Sequence, residues 1–364
     1  MIEKQVVSVS PRDRERLRSD PDISAAAPAR MRLRLIDPIQ KGDPCSIANS
    51  SELPTCWGIT AIGAELDTYD GAGITVAVLD TGIDQEHPCF KDRGIQLDCK
   101  NFTSESDDDE DGHGTHCAGT LFGRDVEGRR IGVARGVRRA LIGKVIGKDG
   151  GSLESIVNGL DWAAANGAHI ISMSLGIDYP GYAVALERAG LPAEIAVSRA
   201  LADYHDTVTL FQRLQMFVES RSMLASRSVL MVAAAGNESR RAEDASWTVH
   251  ASPPANATGI VSVGALGVAG NDSYAESSFS NTGCKVLAPG EGIVSASPGG
   301  KLSAMSGTSM ATPHVAGVAA LWGQKRLQER NAFDAESVRV QLLSNCRDLL
   351  KPRLSVGGLV QAPR

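Results

Sequence analysis

The sequence predicts an α/β protein with a doubly wound, mostly parallel sheet flanked by helices. From about residue 70 onward, apolar runs alternate with segments of helical periodicity. The runs are continuously apolar, whereas a strand with one solvent-facing side alternates apolar and polar residues. Continuous runs indicate strands that are covered on both faces, which is typical of a parallel sheet with helices on either side. The predicted strands are Ile74–Leu79, Ala140–Ile146, Ala168–Leu175, Val229–Ala235 and Ile260–Ala265.

Two segments between or after these runs have helix signals. Leu153–Ala165 has apolar residues at helical spacing, and Ser152 stands directly before it as a suitable N-cap. Pro313 falls early in the segment Thr312–Gln328, where a proline suits the first helical turn. In a sheet of this class, functional groups gather at the carboxyl ends of the strands.

Two parts of the chain differ from this alternating pattern. Residues 1–50 are rich in charges of both signs and are predicted to be an N-terminal arm, with the main domain over residues 51–362. Residues 177–227 are predicted to be an extended amphipathic helical segment. It serves either as the crossover that parallel strands require or as a cover that overhangs the cleft and restricts substrates. Its apolar positions are Val197, Leu201, Tyr204, Val208, Phe211 and Val218.

Composition excludes several classes of partner. The 364-residue chain has a formal net charge of −6 and a pI near 5.7, which argues against nucleic acid. It has no apolar run long enough to span a membrane. The first residues lead into no apolar signal core, so we expect a cytoplasmic protein. The sequence makes no prediction of the oligomeric state.

The cysteines favour free thiols over a disulfide framework. There are seven, so at least one thiol is unpaired in a monomer, and a cytoplasmic protein is expected to keep them reduced. The alternative is a small loop closed by Cys45 with Cys56 or by Cys89 with Cys99. The sequence contains no Cys-x-x-Cys pattern, so a structural zinc is not predicted.

Three short motifs supply the groups that activate an alcohol as a nucleophile. They are Asp80-Thr81-Gly82, His113-Gly114-Thr115-His116 and Gly307-Thr308-Ser309-Met310-Ala311-Thr312-Pro313. A serine needs a base to remove its proton, and the base needs an anion to fix its tautomer. Ser309 is therefore the candidate nucleophile, His113 the candidate base and Asp80 the group that orients it.

These motifs, in the chain order Asp, His, Ser, resemble those of the subtilisin-type serine peptidases, the subtilases of peptidase family S8. The resemblance extends over roughly residues 55 to 362. It implies a serine endopeptidase that hydrolyses peptide or protein substrates through an acyl-enzyme on Ser309. In that family the second histidine of the motif, here His116, has a supporting role.

The resemblance implies further site residues. Asn237, in Ala-Gly-Asn, matches the family's oxyanion asparagine, although Gly-Asn is also common in turns. Ser174, Leu175 and Gly176 resemble the segment that pairs with the substrate strand, and an ordinary strand end is the alternative. Ser252-Pro253-Pro254-Ala255 resembles a wall of the specificity pocket, so the Pro253–Pro254 bond is predicted to be cis.

No metal ligand is assigned, and no cofactor is expected to be required for the chemistry. The acidic run from Asp107 to Asp111 is interpreted first as a solvated loop, with binding of calcium or of a basic substrate as the alternative. Calcium-binding subtilases often carry an acid after His-Pro, where this chain has Cys89. A structural calcium ion therefore has no support from the sequence.

The role of the arm and the reaction outcome each have alternatives. Subtilases often have an inhibitory prodomain, and Ser19–Ile23 resembles its later part. The arm is short for a prodomain, so a structural arm is equally consistent. An amine could also replace water in the second step, which would give a transpeptidase or macrocyclase. A non-catalytic binding scaffold is disfavoured because Asp80, His113, Asn237 and Ser309 are all present.

Overall fold

The structure, a computed structural model, describes most of the chain beyond residue 54. Its ranges are 55–66, 68–224, 228–270, 273–349, 355 and 357–364, with short stretches of the arm at 7, 13, 16–17, 20, 23–27, 34–36, 38 and 40–41. Most residues of the arm, Cys45 among them, lie outside the described residues.

The described strands form one large sheet and two small ones. In chain order they are β1 (Arg34–Leu35), β2 (Gln40–Lys41), β3 (Thr75–Asp80), β4 (Gln96–Asn101), β5 (Arg139–Lys144), β6 (Ile170–Met173), β7 (Leu175–Gly176), β8 (Leu230–Ala234), β9 (Val261–Gly270), β10 (Ser273–Glu276), β11 (Val286–Pro289), β12 (Ile293–Ser297) and β13 (Lys301–Ser306). The eight-stranded sheet has the order β10-β9-β8-β6-β3-β5-β4, with β11 also paired to β9. Among these pairs β9–β10 is antiparallel and the others are parallel, which confirms the predicted fold class.

All five predicted strands are present, with one informative difference. The run Ala168–Leu175 divides, because β6 ends at Met173 and stays in the large sheet, whereas β7 pairs antiparallel with β1 of the arm. Strand β4 was not predicted. It lies at the sheet edge with several exposed side chains, so it lacks the continuous apolar run that identified the central strands.

The helices are α1 (Trp57–Ala61), α2 (His113–Phe122), α3 (Leu153–Ala165), α4 (Tyr179–Arg188), α5 (Ala193–Leu224), α6 (Thr308–Arg330) and α7 (Ala335–Ser344), with a 3₁₀ turn at Ala64–Leu66. The predicted bounds of α3 are confirmed, and the Ser152 side chain accepts a hydrogen bond from the Ser155 amide. Helix α6 begins at Thr308 rather than Thr312, so Pro313 lies inside the helix and not in its first turn. Residues Thr308 to Gln324 of α6 are buried.

The extended helical segment consists of α4 and α5. In the first half of α5, the apolar face that the sequence predicts is not the buried face. Val197 and Leu201 are 53% and 57% exposed. Small and polar residues of α5 are buried instead. One of the polar residues, Asp203, accepts a hydrogen bond from the Tyr182 hydroxyl at 2.9 Å. The buried positions of α5 are Ala196, Ala200, Asp203, Thr207, Phe211, Leu214 and Val218.

Helix α5 is attached to the segment that carries the two neighbouring prolines. The Tyr204 hydroxyl donates to the Ala251 carbonyl at 3.4 Å and accepts from the Asn256 side-chain amide at 2.5 Å. Its ring also lies 5.1 Å from that of Tyr179 in α4. The helical pair therefore contacts the region predicted to form the specificity pocket. No described helix, α5 included, has the length and apolar character needed to cross a membrane.

The described cysteines are free thiols, as the sequence favoured. Neither Cys89 nor Cys99 is in a disulfide, and Cys56 is also free. The Cys89 thiol lies 3.0 Å from Nδ1 of His87, and burial raises the pKa of this thiol far above its usual value. It is therefore a protonated, hydrogen-bonded core residue.

Two buried histidines make the fold sensitive to acid. Burial lowers the pKa of His116 from 6.5 to about 3 and that of His314 to about 4. The unfolded chain binds protons at these residues from pH 6.5 downward, whereas the folded chain does not, so their contribution to stability is lost as pH falls below 6.5. These two residues alone should lower the unfolding free energy by roughly 3 to 4 kcal/mol between pH 7 and pH 5, at about 1.4 kcal/mol per unit and group.

Urea denaturation of the Ser309→Ala chain at several pH values measures this loss without self-digestion. His314→Gln should remove about half of the decline between pH 7 and pH 5. An unchanged slope in that variant would contradict the assignment of the decline to the buried histidines.

Candidate active site

The candidate base and its orienting carboxylate meet where β3 ends and α2 begins. Asp80 is the last residue of β3 and His113 the first of α2, and both side chains are fully buried. His113 Nδ1 and Asp80 Oδ1 lie 2.7 Å apart, and Oδ1 also accepts the Thr81 amide at 2.8 Å. Because a carboxylate oxygen only accepts, Nδ1 carries a proton, and in the neutral ring Nε2 keeps its lone pair. The pair therefore sets His113 in the tautomer that a general base requires.

The surroundings of His113 act on its pKa in opposite directions. Burial lowers the pKa, while the charge and hydrogen bond of Asp80 raise it, and the net result lies well above 6.5. Among the described residues, His113 Nε2 and Asp80 Oδ2 have no hydrogen-bond partner. Nε2, the nitrogen that would act as the base, therefore points away from Asp80 and is not hydrogen-bonded by another described side chain.

Asp109 holds the two segments that carry these residues together. Its carboxylate accepts from the Thr81 hydroxyl at 2.7 Å, the Gly112 amide at 2.9 Å, and the Thr115 amide and hydroxyl at 2.8 and 2.6 Å. Asp109 is 6% exposed, so the interpretation of the acidic run as a solvated loop is wrong for this residue. The segments also touch at Gly114, where a Cβ atom would lie 2.2 Å from the Gly82 carbonyl oxygen.

The candidate nucleophile lies in the first turn of α6 and faces the N-terminal arm. Ser309 Oγ donates to the Ile36 carbonyl at 3.1 Å and lies 3.3 Å from the Ser174 carbonyl. Its described hydrogen bonds do not include one to His113. The structure therefore brings Asp80 together with His113, and Ser309 together with the predicted substrate segment.

Pro313 explains how the backbone of Ser309 is connected to its neighbours. In a helix the amide of residue 313 would bond to the carbonyl of Ser309, but proline has no N–H. The Ser309 carbonyl instead accepts from the Ser174 hydroxyl at 2.9 Å and the Cys117 thiol at 3.5 Å. The proline inside α6 thus frees the carbonyl that links the candidate nucleophile to Ser174, directly before β7, and to α2.

Cys117 was not singled out from the sequence. It lies one turn after His113 on α2, and its sulfur is 3.9 Å from His113 Nδ1. The spacing of four residues, which places side chains on one helix face, was the available signal. Ligand atoms of Asp80, His113 and Cys117 lie within 4.8 Å of one another. A metal ion held there would replace the hydrogen bond between Asp80 and His113.

Asn237 is held against the start of α6. Its Oδ1 accepts from the Thr308 amide at 2.9 Å and the Thr308 hydroxyl at 3.0 Å. These bonds fix the side-chain amide, and its nitrogen is directed to the Gly307 side, where an added Cβ would lie 3.0 Å from it. The start of a helix carries unpaired backbone amides and favours negative charge. The arrangement therefore suits an oxyanion next to Ser309.

The arm lies along the predicted substrate segment as an antiparallel strand. Arg34 pairs with Gly176 and Leu35 with Leu175. Beyond Ser309 the arm continues as β2, in which Gln40 pairs with Ser306. Residues of the arm thus lie on both sides of the candidate nucleophile, in the position that an extended peptide would take.

The side chain of Ile36 is buried next to the predicted specificity pocket. Ile36 is 5% exposed, and a Cβ atom on Gly176 would lie 3.1 Å from its Cδ1 and 3.3 Å from Ser252 Oγ. The absence of a side chain at Gly176 therefore makes room for Ile36. The Pro253–Pro254 bond that follows Ser252 is cis, as predicted.

Ser309 lies at a helix start, near a buried histidine–carboxylate pair and an anchored asparagine amide. This combination is characteristic of the serine hydrolases. The Subtilase family profile matches residues 71–356. The chain belongs to the subtilase family, and it is a serine endopeptidase.

Several relatives are similar along most of the chain. Subtilisin BL of Lederbergia lenta is 34% identical over 310 residues, which are 84% of this chain and 96% of that protein. M-protease of Shouchella clausii (strain KSM-K16) is 33% identical over 360 residues, 98% of this chain and 77% of that protein. The structure of a cold-adapted subtilisin-like serine proteinase has a TM-score of 0.56 and 29% identity, covering 82% of this chain and 91% of its own.

Proposed function

We propose that the chain cleaves peptide bonds through an acyl-enzyme on Ser309, with His113 as base and Asp80 as its orienting anion. Ser309 Oγ attacks the peptide carbonyl carbon as His113 Nε2 takes the hydroxyl proton. The imidazolium returns that proton to the leaving amine. Water then attacks the ester, again through His113, and releases the carboxylic acid and the free serine. No metal or organic cofactor takes part in these steps.

The contact between Ser309 Oγ and the Ile36 carbonyl carries this proposal. A peptide carbonyl lies within hydrogen-bonding distance of the candidate hydroxyl, on a strand that is paired with β7. This supports Ser309 as the nucleophile, and it supports Ser174, Leu175 and Gly176 as the segment that binds substrate. The tautomer set by Asp80 supports His113 as the base.

A fluorophosphonate label and a peptide assay test the proposal together. We expect stoichiometric labelling of Ser309, located by mass spectrometry of digests, and loss of peptide hydrolysis in proportion to labelling. The products should be linear peptides with a new carboxylate. Labelling at another serine, or hydrolysis that survives full labelling, would contradict it, and cyclic products would indicate acyl transfer to an amine instead of water.

Asn237→Ala is expected to lower kcat by about 10² to 10³, with little change in KM, a magnitude known from subtilisin itself. The amide would stabilise the oxyanion, which exists in the transition state and not in the bound substrate. Steady-state kinetics with one peptide measure both constants. Thr308→Val removes a hydroxyl that bonds Asn237 Oδ1 and leaves the amide donor in place, so it should cost far less. Equal losses in the two variants would contradict the role of the amide.

We also propose that the arm blocks the cleft and is cut by Ser309 at the Ile36–Asp37 bond. The intact mass of the purified chain should lack residues 1–36, whereas Ser309→Ala should keep its full mass. Ile36→Val preserves the apolar side chain and should be cut. Ile36→Asp places a charge in a buried position and should remain whole. A full-length wild-type chain with active hydrolysis of added peptide would contradict this part of the proposal.

A further inference from the structure

The strand geometry of the arm identifies a second side-chain site in the cleft. Successive residues of a strand point to opposite sides. Ile36 points toward Gly176 and Ser252, and Leu35 instead lines a cavity of about 540 Å³ on the other side. This cavity lies between the segment that follows Asp80 and the loop that follows β5. It would receive the residue immediately before the one whose carbonyl Ser309 attacks.

The cavity combines an apolar inner surface with acidic groups. Leu35 is the present occupant, Ile146 contributes an apolar side chain to the wall, and the backbone of Gly150 also lines the cavity. The charged residues that line it are Glu105, Glu110, Asp111, Asp149, Lys144 and Lys148, four acids against two lysines. The formal charge of the lining is therefore −2.

The two lysines are already engaged with the protein. Lys144 Nζ donates to the Asp108 carbonyl at 2.6 Å and is 4% exposed. Lys148 Nζ lies 2.5 Å from a Glu110 oxygen, and this contact together with Ser106 lowers the pKa of Glu110. Glu105 lies against the same loop, because its Oε1 accepts from the Lys148 amide at 2.8 Å and would lie 2.3 Å from a Cβ on Gly147. An entering cation would meet an excess of carboxylates at the outer part of the cavity.

We propose that this cavity selects a lysine or arginine at the substrate position occupied here by Leu35. An alkyl stem fits along Ile146 and Gly150, and the cationic end then reaches the carboxylates. The inference rests on the proposed function, because it assigns a side-chain preference to the same cleft. Glu105 and Glu110 would attract the cationic end of the substrate side chain, and Lys148 would repel it.

Peptides that differ at this one position test the preference in the active enzyme, after the arm has left the cleft. The series Ala-Ala-X-Ile-4-nitroanilide has lysine, norleucine or glutamate at X. Lysine and norleucine have unbranched stems and differ mainly in the ammonium group. We expect kcat/KM about tenfold higher for lysine than for norleucine at low salt, and lowest for glutamate. The lysine preference should shrink as ionic strength rises, since part of the site is exposed.

Two charge variants should shift the ratio of kcat/KM for the lysine peptide to kcat/KM for the norleucine peptide in opposite directions. Glu105→Gln should lower the ratio of lysine to norleucine, and Lys148→Gln should raise it. The rate with norleucine should be nearly constant in both. Glu187→Gln removes an exposed acid on α4, outside the cavity lining, and should leave the ratio unchanged.

Two outcomes separate this inference from the proposed function. Hydrolysis of all three peptides at equal rates per fluorophosphonate-titrated site would overturn the cation preference and leave the Ser309 mechanism standing. Absence of hydrolysis together with absence of labelling at Ser309 would overturn the mechanism, and the preference with it.

Discussion

Replacing Ser309 by alanine is expected to lower kcat by about 10⁶, the magnitude that subtilisin shows for the loss of its nucleophile. Without the hydroxyl no acyl-enzyme forms, and hydrolysis depends on water reaching a carbonyl that is still held by the strand pairing. The remaining rate should reflect binding and oxyanion stabilisation alone. Peptide hydrolysis measured over days, with the variant produced free of wild-type enzyme, determines the residual rate.

Two further measurements make the Ser309→Ala result specific. Because the uncut arm occupies the cleft of Ser309→Ala, substrate peptide should bind this variant in competition with the arm, although Ser174, Leu175 and Gly176 are unchanged. Ser309→Cys keeps a nucleophile, and it should regain labelling by thiol-reactive peptide analogues. A loss of only tenfold in Ser309→Ala would show that another group performs the attack.

The central sheet and the main candidate residues could be predicted from the sequence for a physical reason. Strands buried on both faces must be continuously apolar, and parallel strands place their carboxyl ends at one edge. Asp80 and Asn237 follow two such strands, so their positions were predictable. The motif around Ser309 had the small residues that a close peptide backbone requires.

The contacts that hold the site together could not be predicted in the same way. Asp109 lies in a run of acids that looks like a solvated loop, and its burial depends on donors from two separate segments. The contact of Cys117 depends on Pro313, because the proline inside α6 frees the Ser309 carbonyl, which then accepts a hydrogen bond from the Cys117 thiol. Such long-range pairings leave no periodic signal in the chain.

The face of α5 shows a second limit. Apolar periodicity pointed to Val197 and Leu201, yet Ala196 and Ala200 are the buried residues. Close packing of α4 on α5 favours small side chains, and hydrogen bonding lets Asp203 be buried. A pattern based on hydrophobicity alone assigns neither feature to the core.

Replacing Asp80 by alanine is expected to lower kcat by about 10⁴, again a magnitude known from subtilisin. The variant loses both functions that we propose for the carboxylate, which are to fix the His113 tautomer and to stabilise the imidazolium. Asp80→Asn separates them in this structure. The Thr81 amide donates to the same Oδ1 that faces His113, so the asparagine should keep its oxygen there and place its nitrogen at the other position. The tautomer is then retained and the charge is lost.

The pH profile of Asp80→Asn is the measurement that distinguishes the two functions. Asp80 raises the pKa of His113, and a general base acts in its deprotonated form, so the wild-type acid limb of kcat/KM should lie above pH 6.5. Removal of the charge lowers the pKa of His113 and should move that limb to lower pH. Asp80→Asn should also retain more activity than Asp80→Ala. An unmoved limb with equal losses in both variants would mean that the charge of Asp80 does not act on His113.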